Sequence, residues 1–112
     1  MHIIMKAPGV CLSLLALLAM PAVSQAADAK AGRALAGRCQ VCHGIDGIAK
    51  IPIAPHLAGE SEIYLQTQLK AFRSGKREHE MMTVVAKDLS DQEIADVAAW
   101  YSSIVVSVTM PE

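Results

Sequence analysis

The sequence predicts an all-α domain of about three main helices, and three observations carry that prediction. Leu65, Leu69 and Phe72 recur at i, i+4 and i+7, which places them on one face of a helix. Ser90-Asp-Gln-Glu93 has the form of a capping box, and Ile94, Val97, Ala98, Tyr101 and Ile104 follow it on a single helical face. Near the start, Asp28 to Arg38 is alanine-rich, as a helix-forming stretch would be. The 112 residues suffice for one small domain and exclude a large catalytic domain or a multi-domain architecture. The four aromatics (Tyr64, Phe72, Trp100, Tyr101) make a thin core, so a disulfide, a metal or a cofactor is expected to supplement it.

The first element is an export leader. Met1 to Lys6 supplies a short positive region, Val10 to Met20 an apolar run, and Ser24 with Ala26 the small residues required before a signal-peptidase cut. Residues 1–26 therefore read as a cleaved signal peptide and residues 27–112 as one domain. The apolar run is shorter than the roughly 20 residues that span a bilayer, so the mature protein is expected to be exported and periplasmic, with no membrane span. Cys11 leaves with the leader. So does Lys6, which takes the formal net charge from −1 to −2. That balance gives no basic patch for nucleic acid.

In the mature chain, Asp28 to Arg38 forms the first helix, in which Gly32 and Gly37 either weaken it or admit a close neighbour. Gly44 to Gly59, with Gly47, Pro52 and Pro55 between, reads as an irregular loop. Ser61 opens the second main helix and Ser74-Gly75 stops it. Residues 75–82 are polar up to the pair Met81-Met82 and read as a surface loop returning to the core. The capped helix after Ser90 is the third. The β-branched tail from Val105 to Pro111 has no assigned state.

Cys39-Gln-Val-Cys42-His43 is the most informative stretch. Two thiols three positions apart can each add to one vinyl group of a haem, and the next residue places an imidazole under the iron. Three other readings use the same residues. A thioredoxin-like pair would need a βαβ setting, and no strand-rich segment precedes these cysteines. A Cys39–Cys42 disulfide would close a very small loop and stabilise little. Zinc would need four ligands and would have to recruit His56 or His79. A haem iron also needs a sixth ligand or an open site. Met81 and Met82 are the mature methionines outside the tail, and a thioether raises the potential, as suits a carrier. His79 or His56 would instead give bis-histidine coordination at lower potential, although His79 lies between Glu78 and Glu80, a solvated setting.

These residues, together with Ala31-Gly32, Pro55-His-Leu57-Ala-Gly59, Tyr64-Leu65, Gln68-Leu69, Phe72-Arg73, Gly75, Arg77, Leu89-Ser-Asp91 and Ala98-Ala-Trp-Tyr101, make the mature chain similar to the small bacterial class I cytochromes c, both single-haem carriers and halves of two-haem proteins. The resemblance implies the class I cytochrome c fold around one covalent haem c, attached through Cys39 and Cys42, with iron held by His43 and Met82. Met82 is chosen because it lies seven positions before Leu89, and Met81 is the alternative. It further implies that the Pro55 carbonyl, twelve residues after His43, accepts the Nδ1–H of that imidazole, and that Leu57 packs against the haem. Gly32 with Trp100 and Tyr101 would form the contact between first and last helices. Tyr64, Arg73 and Arg77 are either haem-propionate partners or ordinary helix residues, and His56 reads as surface.

The expected function is single-electron transport between redox partner proteins that dock transiently, with no catalytic residue. A cytochrome subunit of a periplasmic dehydrogenase is the alternative. A gas sensor or peroxidase would need an iron that lacks or readily loses Met82.

Overall fold

The computed structural model describes residues 25–112. All but the last two residues of the leader read at 1–26 lie outside the described residues. Five helices follow: α1 (Ala29–Leu35), continued by a 3-10 turn over Ala36–Arg38, α2 (Gln40–His43), α3 (Glu62–Ser74), α4 (Met82–Lys87) and α5 (Asp91–Ser102), with no strand among the described residues. Three of them, α1, α3 and α5, form the body, and no helix among the described residues is long and apolar enough to cross a membrane.

Each main helix starts on a side-chain acceptor that satisfies N–H groups the helix cannot. The Asp28 carboxylate accepts from the N–H of Lys30 and Ala31 at 2.8 and 3.2 Å. Ser61 Oγ accepts from Tyr64 N–H at 3.3 Å. The capping box of α5 is complete: Ser90 Oγ accepts from Glu93 N–H at 3.1 Å, and the Glu93 carboxylate accepts from Ser90 N–H at 2.8 Å. Along α3, Leu65 and Phe72 are buried and Leu69 is half-buried. Along α5, Ile94, Val97, Ala98 and Tyr101 are buried. Each fully buried large side chain, Ile94 and Tyr101, contributes about 1.5–3 kcal/mol of transfer free energy. Ala36, Leu65, Val97, Ala98 and Tyr101 join α1, α3 and α5 into one core.

α1 lies across α5, and Gly32 sets their separation. A Cβ at this position would stand 1.8 Å from the Asp96 carbonyl oxygen, so the backbones meet only because glycine has none. The sequence expectation placed Gly32 against Trp100 and Tyr101. The structure puts it one turn earlier, on the Asp96–Val97 backbone, while Tyr101 shares the core cluster with Ala36 and the Arg33 guanidinium lies over the Trp100 ring.

The segment before Met82 is a loop, as the polar run predicts, but the helix α4 that follows it was not anticipated. Arg73 joins α3 to the stretch after α4: its guanidinium donates to the Leu89 carbonyl at 2.8 Å and pairs with the Asp91 carboxylate. Arg77 donates to Gln68 Oε1 at 2.7 Å and lies over the Phe72 ring.

Candidate haem-binding site

The site is built around α2, a single turn that carries Cys39, Cys42 and His43. His43 N–H donates to the Cys39 carbonyl at 2.9 Å, which fixes the turn. Gly44 then leaves it with φ +74°, and a Cβ there would meet the Asp46 carboxylate at 2.3 Å and the Ile48 carbonyl at 2.5 Å. The loop that follows has no regular elements but is cross-braced by backbone bonds. Lys50 N–H donates to the Cys42 carbonyl at 2.8 Å, and the N–H groups of Leu57 and Ala58 share the Gly47 carbonyl at 2.8 and 3.1 Å. Leu57, half-buried, packs on the core.

α5 braces the same turn from behind. Tyr101 donates its hydroxyl to the Gly44 carbonyl at 3.0 Å and Trp100 its indole N–H to the Ile45 carbonyl at 3.0 Å. These two aromatics thus hold the chain just after His43 in addition to packing between the helices.

Hydrogen bonding sorts the three histidines among the described residues by tautomer. His43, 7% exposed, has Nδ1 2.9 Å from the Pro55 carbonyl. A carbonyl only accepts, so Nδ1 carries the proton and Nε2 keeps its lone pair for a metal. In His56, Nδ1 accepts from Ala49 N–H at 2.8 Å. In His79, Nδ1 accepts from the N–H groups of Met81 and Met82 at 3.2 and 3.4 Å. Both rings therefore carry their proton on Nε2 when neutral, and that nitrogen has no lone pair to give. Of the three, His43 alone presents a metal-competent Nε2.

Cys39 and Cys42 are free thiols, both half-buried. Burial pushes the Cys39 thiol up from its usual pKa, against the opposing influence of the Arg38 charge. A raised thiol is the reverse of the activated thiolate that a thioredoxin-like pair requires. Burial also raises the Tyr101 hydroxyl, with the neighbouring Cys39 adding to the effect. No group of three or more His, Cys, Asp or Glu among the described residues is arranged to hold a metal ion, so zinc finds no ligand set here. Two free thiols one turn apart, beside an imidazole with a free Nε2, fit a covalently attached haem.

Met82, the first residue of α4, is half-buried, whereas Met81 is 54% exposed. Tyr64 is 49% exposed, and Arg73 and Arg77 are engaged as described above rather than turned to a common anion site. Asp96 escaped the sequence reading. Its buried carboxylate accepts from Asp28 N–H and from Gln92 Nε2, both at 2.8 Å, and so ties the segment before α1 to α5. A carboxylate among Ile94, Val97 and Ala98 was the available signal, since an acid on an apolar face needs partners. The acceptor roles of His56 and His79 were also missed.

The family model for cytochrome c matches residues 29–104. Cytochrome c-554(548) of Halomonas halodenitrificans is 48% identical over 81 residues, 70% of this chain and 98% of that protein. Cytochrome c4 of Pseudomonas aeruginosa is 44% identical over 101 residues, 89% of this chain and 50% of that protein. The crystal structure of reduced recombinant cytochrome c4 from Pseudomonas stutzeri superposes with a TM-score of 0.68 at 39% identity, covering 74% of this chain and 48% of that one. The chain thus spans about half the length of its c4 relatives and nearly all of c-554(548). A thiosulfate dehydrogenase electron acceptor of Thiomonas intermedia is 39% identical over 71 residues, 62% of this chain and 32% of that protein. With the fold, the Cys39-Gln-Val-Cys42-His43 turn and these likenesses in agreement, the chain belongs to the cytochrome c family, electron carriers that hold haem c covalently through paired cysteines.

Proposed function

We propose that this chain is an exported, periplasmic carrier of single electrons with one haem c, freed of residues 1–26 and itself without catalytic activity. The haem, when bound, supplies a ferric/ferrous couple. Cys39 and Cys42 would hold it by thioethers, His43 Nε2 and the Met82 sulfur would bind its iron, and Leu57 would lie against the ring. The observation that carries the reading is the tautomer of His43, whose bond to the Pro55 carbonyl leaves the Nε2 lone pair available to a metal while the other two imidazoles give their lone pairs to backbone N–H groups.

The chain's own part in electron transfer is to keep still. The Pro55 carbonyl holds the His43 ring in one orientation and makes Nε2 the better donor. Tyr101 and Trp100 keep the turn from shifting. Of the two methionines, the half-buried Met82 is the better ligand candidate, because its environment already withdraws it from water.

Visible spectra of protein produced in a host that attaches haem test the reading. Met82→Ala should abolish the weak red-end band of sulfur–iron ligation in the oxidised protein, and His43→Ala should prevent stable holoprotein. Loss of the band in Met81→Ala alone would move the ligand to Met81. The likeness to a thiosulfate dehydrogenase electron acceptor favours a second reading, service as the cytochrome partner of a periplasmic dehydrogenase. A dehydrogenase subunit that copurifies in constant ratio would establish it, and isolation as a lone chain would favour the free carrier.

A further inference from the structure

We propose that His79 is a positioning residue for Met82, acting as the N-cap of the turn that presents the methionine. The inference rests on Met82 as axial ligand and adds what holds it there. Helical bonding in this region begins at His79, whose carbonyl accepts from Thr83 N–H at 2.9 Å before Met81 accepts from Val85 N–H at 3.0 Å. Counting from His79 as N-cap, Met81 and Met82 stand at the second and third helical positions, whose N–H groups a capping side chain satisfies. The His79 ring does this with Nδ1, at 3.2 Å from Met81 N and 3.4 Å from Met82 N. Thr83 answers from the other side, its hydroxyl accepting from His79 N–H at 3.0 Å.

Four hydrogen bonds thus close residues 79–83 into one turn around the Met82 backbone. Met81 itself offers no capping side chain, and without the imidazole the N–H groups of both methionines would be left to water. The Met82 backbone then has more conformations to leave from, and its sulfur is held less firmly against competition. Exposure of His79 makes the ring's contribution to overall stability modest, while its contribution to one backbone position is direct.

The test is displacement of the Met82 sulfur by added imidazole in the oxidised holoprotein, read as loss of the red-end band at about pH 8, where the added imidazole is mostly unprotonated. H79A should bind imidazole about fivefold more tightly, the equivalent of one lost cap, and its reduction potential should fall. H79N restores an acceptor at the cap and should return both readouts close to those of the unsubstituted protein. S90A removes the cap of α5 and should lower stability without moving either readout. An H79A protein that titrates like the parent, an S90A shift as large as that of H79A, or failure of H79N to restore the parent behaviour would each overturn the proposal. M82A separates the underlying reading: if it retains the band, Met82 is not the ligand and the role of His79 falls with it.

Discussion

The Tyr101 hydroxyl donates to the carbonyl of Gly44 at 3.0 Å, across 57 residues of chain and inside the core. Tyr101→Phe keeps the ring and its packing but removes one of that carbonyl's two donors, leaving the Gly47 N–H at 3.2 Å. The expected loss is about 0.5–1.5 kcal/mol, measured as a lower urea midpoint of the holoprotein, with the red-end band intact. A neutral substitution would mean that the Gly47 N–H alone satisfies the Gly44 carbonyl.

Gly32 and Gly37 should respond oppositely to alanine. At Gly32 the new methyl would have to occupy space held by the Asp96 backbone, which cannot swing aside as a side chain can. Overpacking of this kind costs about 3 kcal/mol or more, and Gly32→Ala should either unfold at much lower urea or fail to accumulate. At Gly37 nothing lies within 4 Å, so Gly37→Ala should be neutral or slightly stabilising.

Asp96 is the buried acceptor for Asp28 N–H and Gln92 Nε2. Asp96→Ala orphans the Asp28 N–H at the entrance to α1, at a cost of about 1–3 kcal/mol. Because the lost bond anchors the start of α1, amide hydrogen exchange in its first turn should be faster in the variant than in the parent.

The Arg73 guanidinium bonded to Asp91 holds that carboxyl below the usual carboxylate range, and the Ile48 N–H does the same for Asp46. A depressed folded-state pKa means that the folded chain binds the proton less readily than the unfolded one. The stabilisation is therefore complete above the unfolded value, about 3.9, and is lost as pH falls through the lower folded value. Asp91→Asn should lower the urea midpoint at neutral pH and flatten the acid limb of stability against pH. The two proteins should converge in strong acid; a constant gap at all pH values would remove the ion pair as the cause.

What the sequence disclosed depended on the range of the interaction. Asp28, Ser61 and Ser90 cap helices within three residues, and such pairs are visible as short patterns. The cores of α3 and α5 were legible for the same reason, since Leu65, Phe72, Ile94, Val97 and Tyr101 repeat with the helical period. Gly32 advertised a close approach but not its register, because nothing local says which turn of α5 it meets. α4 gave no signal: Met81, which precedes it, offers no capping side chain of the usual Ser, Thr, Asp or Asn kind. In the site, the cysteine spacing is local and conspicuous. The proton position on His43 was legible through the spacing to Pro55 that the family resemblance carries, whereas those on His56 and His79 are set by N–H groups that only the folded loop supplies.

The contact between Tyr101 and Gly44 also fixes an order of events. The chain is made from its amino end, and the two cysteines are complete while α5, some 50 residues later, has yet to be synthesised. Until that helix arrives, the Gly44 and Ile45 carbonyls lack their Tyr101 and Trp100 donors, and Cys39 lacks the aromatic wall that buries it. The thiols are thus most open to a modifying enzyme in the incomplete or freshly translocated chain, and docking of the last helix closes the attachment turn behind them.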